Sequence, residues 1–130
     1  MSVPVSQRGQ SKMVVFVKAR EVLKYTLEIT SNPNKFDPTY RYLIDEINST
    51  ALKIPIFVQK ANRERRNVNN NGSSPRAVYQ SKAIKACDDL IDLVNIGAGI
   101  FHYTTNRWDH WVDMIEHEQS LIRLWKDSDR

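Results

Sequence analysis

The sequence predicts an all-α chain folded as an antiparallel, up-and-down four-helix bundle, on three observations. Apolar residues recur at helical steps of three and four through four separate segments. Proline, asparagine and hydroxyl residues punctuate the chain between those segments. No stretch alternates apolar and polar residues for long enough to make a strand. With 130 residues, 41% of them hydrophobic and 26% charged, the chain has the size and composition of one globular domain spanning 1–130. A domain of this size buries roughly two-thirds of the surface its unfolded chain exposes, enough for a core without covalent staples.

The first helix is expected over about 10–30. Val15, Ala19, Val22, Thr26 and Ile29 fall on one face, and Phe16, Leu23 and Leu27 widen it toward a second neighbour. Ser31-Asn32-Pro33-Asn34 ends it, because the residue before a proline avoids the helical region. The second helix is expected over 38–66. Asp37 can cap its free amides, and Pro38 suits a first helical position, where a missing N–H costs nothing. Tyr40, Ile44, Ile47, Ala51, Ile54, Val58 and Ala61 then keep a seven-residue repeat, the pattern of a bundle seam. Pro55 lies inside this run. The apolar phase survives across it, so one bent helix is expected rather than two.

Asn67 to Ser74 reads as a loop, and Ser74-Pro75 opens the third helix, expected over 75–102. Its face is Ala83, Ala86, Leu90, Val94, Gly97 and Phe101, with small residues that let another helix approach closely. Thr104-Thr105-Asn106 breaks the chain again, with Asn106 as the expected cap of a fourth helix over 107–127. There Trp108, Trp111, Ile115, Ile122 and Trp125 share a face that Glu118 interrupts. Short connections make successive helices antiparallel neighbours.

The single cysteine, Cys87, excludes an internal disulfide and a cysteine-based metal site, which fits a reducing cytoplasm. No apolar run approaches the ~18 residues needed to span a bilayer, and no signal peptide is recognisable at the N-terminus. A soluble, cytoplasmic protein with no membrane partner is the expectation.

Candidate chemistry is sparse. His110, Asp113, Met114 and His117 lie within two turns, yet no glutamate stands three residues before any histidine, the spacing that marks a di-metal bundle. A solvated polar face is the simpler reading. Asp88, Asp89 and Asp92 have no nucleophile beside them and read as an acidic surface. Cys87, in a helix interior, reads as a small buried hydrophobe. Gly97-Ala98-Gly99 follows a helical pattern rather than a strand, so it is not a phosphate loop. No catalytic residue, metal site or cofactor is expected.

The net charge of +4 hides a strong polarity. Residues 1–85 carry 15 Lys/Arg against 6 Asp/Glu, whereas residues 86–130 carry 4 against 9. Between positions 53 and 85 stand Lys53, Lys60, Arg63, Arg65, Arg66, Arg76, Lys82 and Lys85, opposed only by Glu64. An antiparallel second and third helix bring these residues to one pole, where a phosphate backbone could lie. Tyr79 reads as the aromatic close to this run, so backbone or shape recognition is expected rather than base reading. The plain alternative is a solvated basic helix end, which the helix dipole favours without any functional role.

Lys35-Phe36-Asp37-Pro38, the long amphipathic segment after it and Ile54-Pro55-Ile56 resemble the four-helix-bundle proteins encoded in ribosomal-RNA intervening sequences. That group includes the accessory variability determinant proteins of diversity-generating retroelements. In the intervening-sequence relatives the Ile-Pro leads into a Ser/Asn-rich stretch ending Ala-Glu-Gly; here Phe57-Val58-Gln59-Lys60-Ala61-Asn62-Arg63 stands instead. Tyr25-Thr26-Leu27-Glu28-Ile29-Thr30 and the closing segment from Leu121 to Arg130 look more like the retroelement accessory group. The resemblance implies a ring-like homo-oligomer, a homopentamer, with a positively charged surface. It implies binding to reverse transcriptase, template RNA and its cDNA in support of mutagenic cDNA synthesis, with no active site. The competing reading is a structural or protein-interaction bundle that binds no nucleic acid. A metal-dependent bundle enzyme is a third.

Overall fold

The computed structural model describes residues 5–65, 74–102 and 104–129. Four α-helices follow in order: α1 (Val5–Thr30), α2 (Arg41–Arg63), α3 (Pro75–Ala98) and α4 (Thr105–Ser128). A 3-10 turn, Pro38–Tyr40, leads into α2, and the described residues contain no strand. Each helix packs against its neighbours in sequence, and α4 closes the square against α1.

Side-chain contacts fix the directions. Thr30 at the end of α1 lies 3.0 Å from Asn48 in the first half of α2. Arg76, in the first turn of α3, reaches the Glu64 carbonyl just past α2 and the Asp129 carboxylate just past α4. Phe16, early in α1, meets Trp125, late in α4. All four neighbouring pairs are therefore antiparallel, as the short connections require. No helix is long and apolar enough to cross a membrane.

The heptad positions of α2 fill the core as read from the sequence: Ile44, Ile47, Ala51, Ile54, Val58 and Ala61 are all buried. Tyr40 is an exception. The chain is still in its 3-10 turn there, so the side chain stays half exposed and only touches the Phe101 ring edge-on. Pro55 sits within one continuous helix, with its apolar phase intact on both sides. In α1 the buried face runs Val15, Ala19, Val22, Thr26 and Thr30, with Thr30 in the place expected of Ile29. Both threonines return their hydroxyls to the carbonyl four residues back, at 2.8 Å, which lets a polar side chain face the core.

The termini are set by local chemistry. Asp37 accepts from the Thr39 amide at 2.9 Å, and Ser74 accepts from the Ala77 amide at 3.1 Å, each directly before a proline. The remaining boundaries differ from those read in the sequence: α1 begins at Val5 rather than about 10, and α2 at Arg41 rather than 38, after the 3-10 turn that Asp37 caps. α2 ends at Arg63 rather than 66, α3 ends at Ala98 rather than 102, and Thr104 rather than Asn106 precedes α4. Beyond Ala98 the chain leaves the helix so that Phe101 can turn back into the core. Its ring meets Phe36 at 4.7 Å, and Phe36 also packs on Trp108 and Trp111. This cluster closes one pole. Gly97 makes the close approach possible: a Cβ there would stand 3.2 Å from both Phe101 and Trp108. Ala98 and Gly99 are exposed and make no such contact.

Glu118 does not break the α4 register. Trp108, Trp111, Ile115, Glu118, Ile122 and Trp125 are all buried along one face. Trp111 anchors it by donating its indole N–H to the Thr26 hydroxyl at 3.0 Å.

Candidate nucleic-acid interface

The pole opposite the aromatic cluster is formed by the end of α2, the start of α3 and the end of α4. Lys60, Arg63, Arg65 and Lys82 gather there, with Lys53 about 10 Å further down α2 from Lys60. Lys53, Arg63, Arg65 and Lys82 are exposed and Lys60 is half-buried. The ion pairs among the described residues involve Lys18, Lys24, Arg76 and Lys85, and none of these five. Arg66 and most of the Asn-rich loop lie outside the described residues.

Two of the eight cations read from the sequence are otherwise engaged. Arg76 turns inward. Its guanidinium forks onto Asp129 at 2.6 and 3.2 Å, contacts the Glu64 carbonyl at 3.4 Å and lies over the Trp125 ring. Only 11% of its side chain is exposed, and Gln80 donates to the same carboxylate at 2.9 Å. Arg76 is thus a tie between three helix ends rather than a ligand-facing charge. Its position two residues past the cap, opposite the end of an antiparallel neighbour, makes this geometry natural. Lys85 pairs with Asp89 at 2.9 Å, one turn on along α3, and both side chains are well exposed. Such an exposed pair contributes little to stability.

The structure also corrects the expectation that aromatics stand apart from the basic run. Phe57 of α2 and Tyr79 of α3 stack at 6.4 Å with an interplanar angle of 21°. The Lys60 and Lys82 ammoniums both lie within 6 Å of both rings. Each ring stands three residues before its lysine, which places ring and charge on one helical face. That matched spacing on two antiparallel helices is the signal in the sequence that could have found the pair.

Elsewhere the candidate groups are dispersed. His110, Asp113, Met114 and His117 line a shallow cleft of about 220 Å³ with Lys18, Glu21 and Val22 of α1. Among the described residues, no three metal-ligating side chains are grouped to hold an ion. Asp88 accepts from Gln119 at 2.7 Å, Asp89 pairs with Lys85, and Asp92 is exposed. Cys87 is buried, and its desolvation pushes the thiol far above its ordinary range, so it stays protonated and unreactive. Glu118 is fully buried with both carboxyl oxygens unpartnered; burial raises its pKa to about 9, so it is a neutral acid in the fold.

In comparison with known proteins, no family model matches this chain, and no curated protein and no solved structure matches it significantly.

Proposed function

We propose that this bundle is a non-catalytic accessory protein of a diversity-generating retroelement, binding template RNA, its cDNA and reverse transcriptase through its basic pole and supporting mutagenic cDNA synthesis. The observation that carries the reading is the cluster of Lys53, Lys60, Arg63, Arg65 and Lys82, none of them in an ion pair among the described residues, set apart from cations that already hold carboxylates. Grouped ammonium and guanidinium groups without internal partners displace counterions from a phosphate backbone, which is the main source of sequence-independent affinity. The sequence resemblance supplies the biological setting and the ring-like homo-oligomer, a homopentamer, as its assembly. Exposed apolar residues on α1 and α4, among them Met13, Val17 and Leu124, support self-association.

The test is a titration of labelled structured RNA at several salt concentrations, with wild-type protein and with Lys60, Arg63, Arg65 and Lys82 changed to Gln. Binding that weakens steeply with salt, with a shallower slope in the variant, supports the assignment. Salt-insensitive binding, or none at low salt, returns the chain to a protein-interaction bundle.

A further inference from the structure

From the ring pair inside the basic pole we infer that the site takes an unpaired strand, with a base laid against Phe57 and Tyr79 and the flanking phosphates on Lys60 and Lys82. The inference rests on the nucleic-acid reading above and narrows its ligand from polyanions in general to single-stranded nucleic acid.

The half-buried aromatics differ in what covers them. Phe16 is capped by Trp125, and Tyr25 by His110 and Trp111, so these rings are closed off by other rings. Among the described residues, Phe57 and Tyr79, which rest on the core, have no ring neighbour but each other, and two ammonium groups lie over them. At 5.7 to 5.9 Å from the ring centroids, those ammoniums sit near the outer limit of a cation–π contact. They are held on four-carbon stems that can swing aside without moving the backbone.

A flat, weakly hydrated surface beside unpaired cations is the combination that binds single strands. A base supplies the π-face, and its own backbone supplies the anions that draw the lysines away. A duplex cannot use it, because its bases are already stacked inside the helix. Among the described residues no carboxylate is paired with these cations, so a phosphate competes only with the rings for them. Lys53 extends the track, since Lys53, Phe57 and Lys60 fall at steps of four and three on α2. A strand following that face meets charge, ring and charge in turn.

The experiment compares a labelled oligouridylate with a blunt RNA duplex of equal strand length at one salt concentration, by fluorescence anisotropy. Three proteins are used: wild type, Phe57→Leu and Tyr79→Leu. Leucine keeps apolar bulk at the half-buried positions and removes the flat face. The single strand should bind about tenfold tighter than the duplex, an advantage each leucine variant removes without changing duplex affinity or salt slope. A second arm needs no variant. An abasic strand with the same phosphates should bind wild-type protein about tenfold more weakly than the strand with bases. Equal affinity for single strand, duplex and abasic strand, with no change in the variants, overturns the inference and leaves phosphate binding standing. Absence of binding to all three removes the nucleic-acid reading itself, and this inference with it.

Discussion

Replacing Glu118 by Gln should make the protein more stable at neutral pH, and the gain should grow as pH rises. Glu118 lies on the tryptophan face of α4, fully buried, with neither carboxyl oxygen hydrogen-bonded. Lys18 and Glu21 of α1 are the charged groups that act on it, and they oppose each other while themselves paired at 3.0 Å. Burial therefore decides its state, and its pKa rises from 4.5 to about 9. In the unfolded chain the carboxyl ionises near 4.5; in the fold it keeps its proton. Between those values the native state binds more protons than the unfolded state, so stability falls with rising pH. The contribution is fullest below 4.5 and is lost as pH climbs toward 9. At about 1.4 kcal/mol per pH unit, the interval from 4.5 to neutral pH corresponds to about 3 kcal/mol.

Gln keeps the shape and the unsatisfied polar atoms but cannot ionise, so it isolates the titration. Urea denaturation followed by circular dichroism, at about pH 5.5, 7 and 8.5, measures the gap between variant and wild type. The variant should be about 3 kcal/mol more stable at pH 7, a rise of roughly 10 °C in Tm for a domain of this size. The gap should narrow toward pH 5.5 and widen toward 8.5. Taking the difference between the two proteins cancels every other titrating group. Parallel pH dependences for the two proteins would refute the burial argument.

Four further outcomes follow from the packing. Arg76→Ala should lower stability by about 2 kcal/mol, because it leaves the Asp129 carboxylate without its fork and unties three helix ends; thermal melts check it. Gly97→Ala should be destabilising by about 1 kcal/mol despite alanine's better helix propensity, since its Cβ meets Phe101 and Trp108 at 3.2 Å. Gly99→Ala, whose Cβ has only the Ile96 carbonyl at 3.7 Å, should be neutral or stabilising in the same assay. Thr26→Val should cost about 2 kcal/mol by stranding the Trp111 indole N–H, and should shift the tryptophan emission spectrum.

The periodic parts of this molecule are legible in the sequence. The α2 seam, the buried face of α3 and the tryptophan face of α4 follow from apolar spacing, because a helix buries one face whatever packs against it. The Asp37-Pro38 and Ser74-Pro75 starts were legible for the same reason: a cap and its proline act within one turn. The uneven distribution of charge along the chain was readable as a count.

The partner of each side chain was decided only by tertiary structure. Lys60 and Arg76 look alike as basic residues, yet one stands over a ring pair at the surface while the other is drawn inward to Asp129. Phe57 and Tyr79, 22 positions apart, become one surface because two antiparallel helices present them at the same height. Glu118 looks like a break in a stripe, yet it is buried along the same face of α4 as Trp111, Ile115 and Ile122, and that burial keeps it neutral. Spacing along the chain says which residues share a face of one helix. The rotation and axial shift of that helix against its neighbours are set by the whole core at once, and they determine which faces meet.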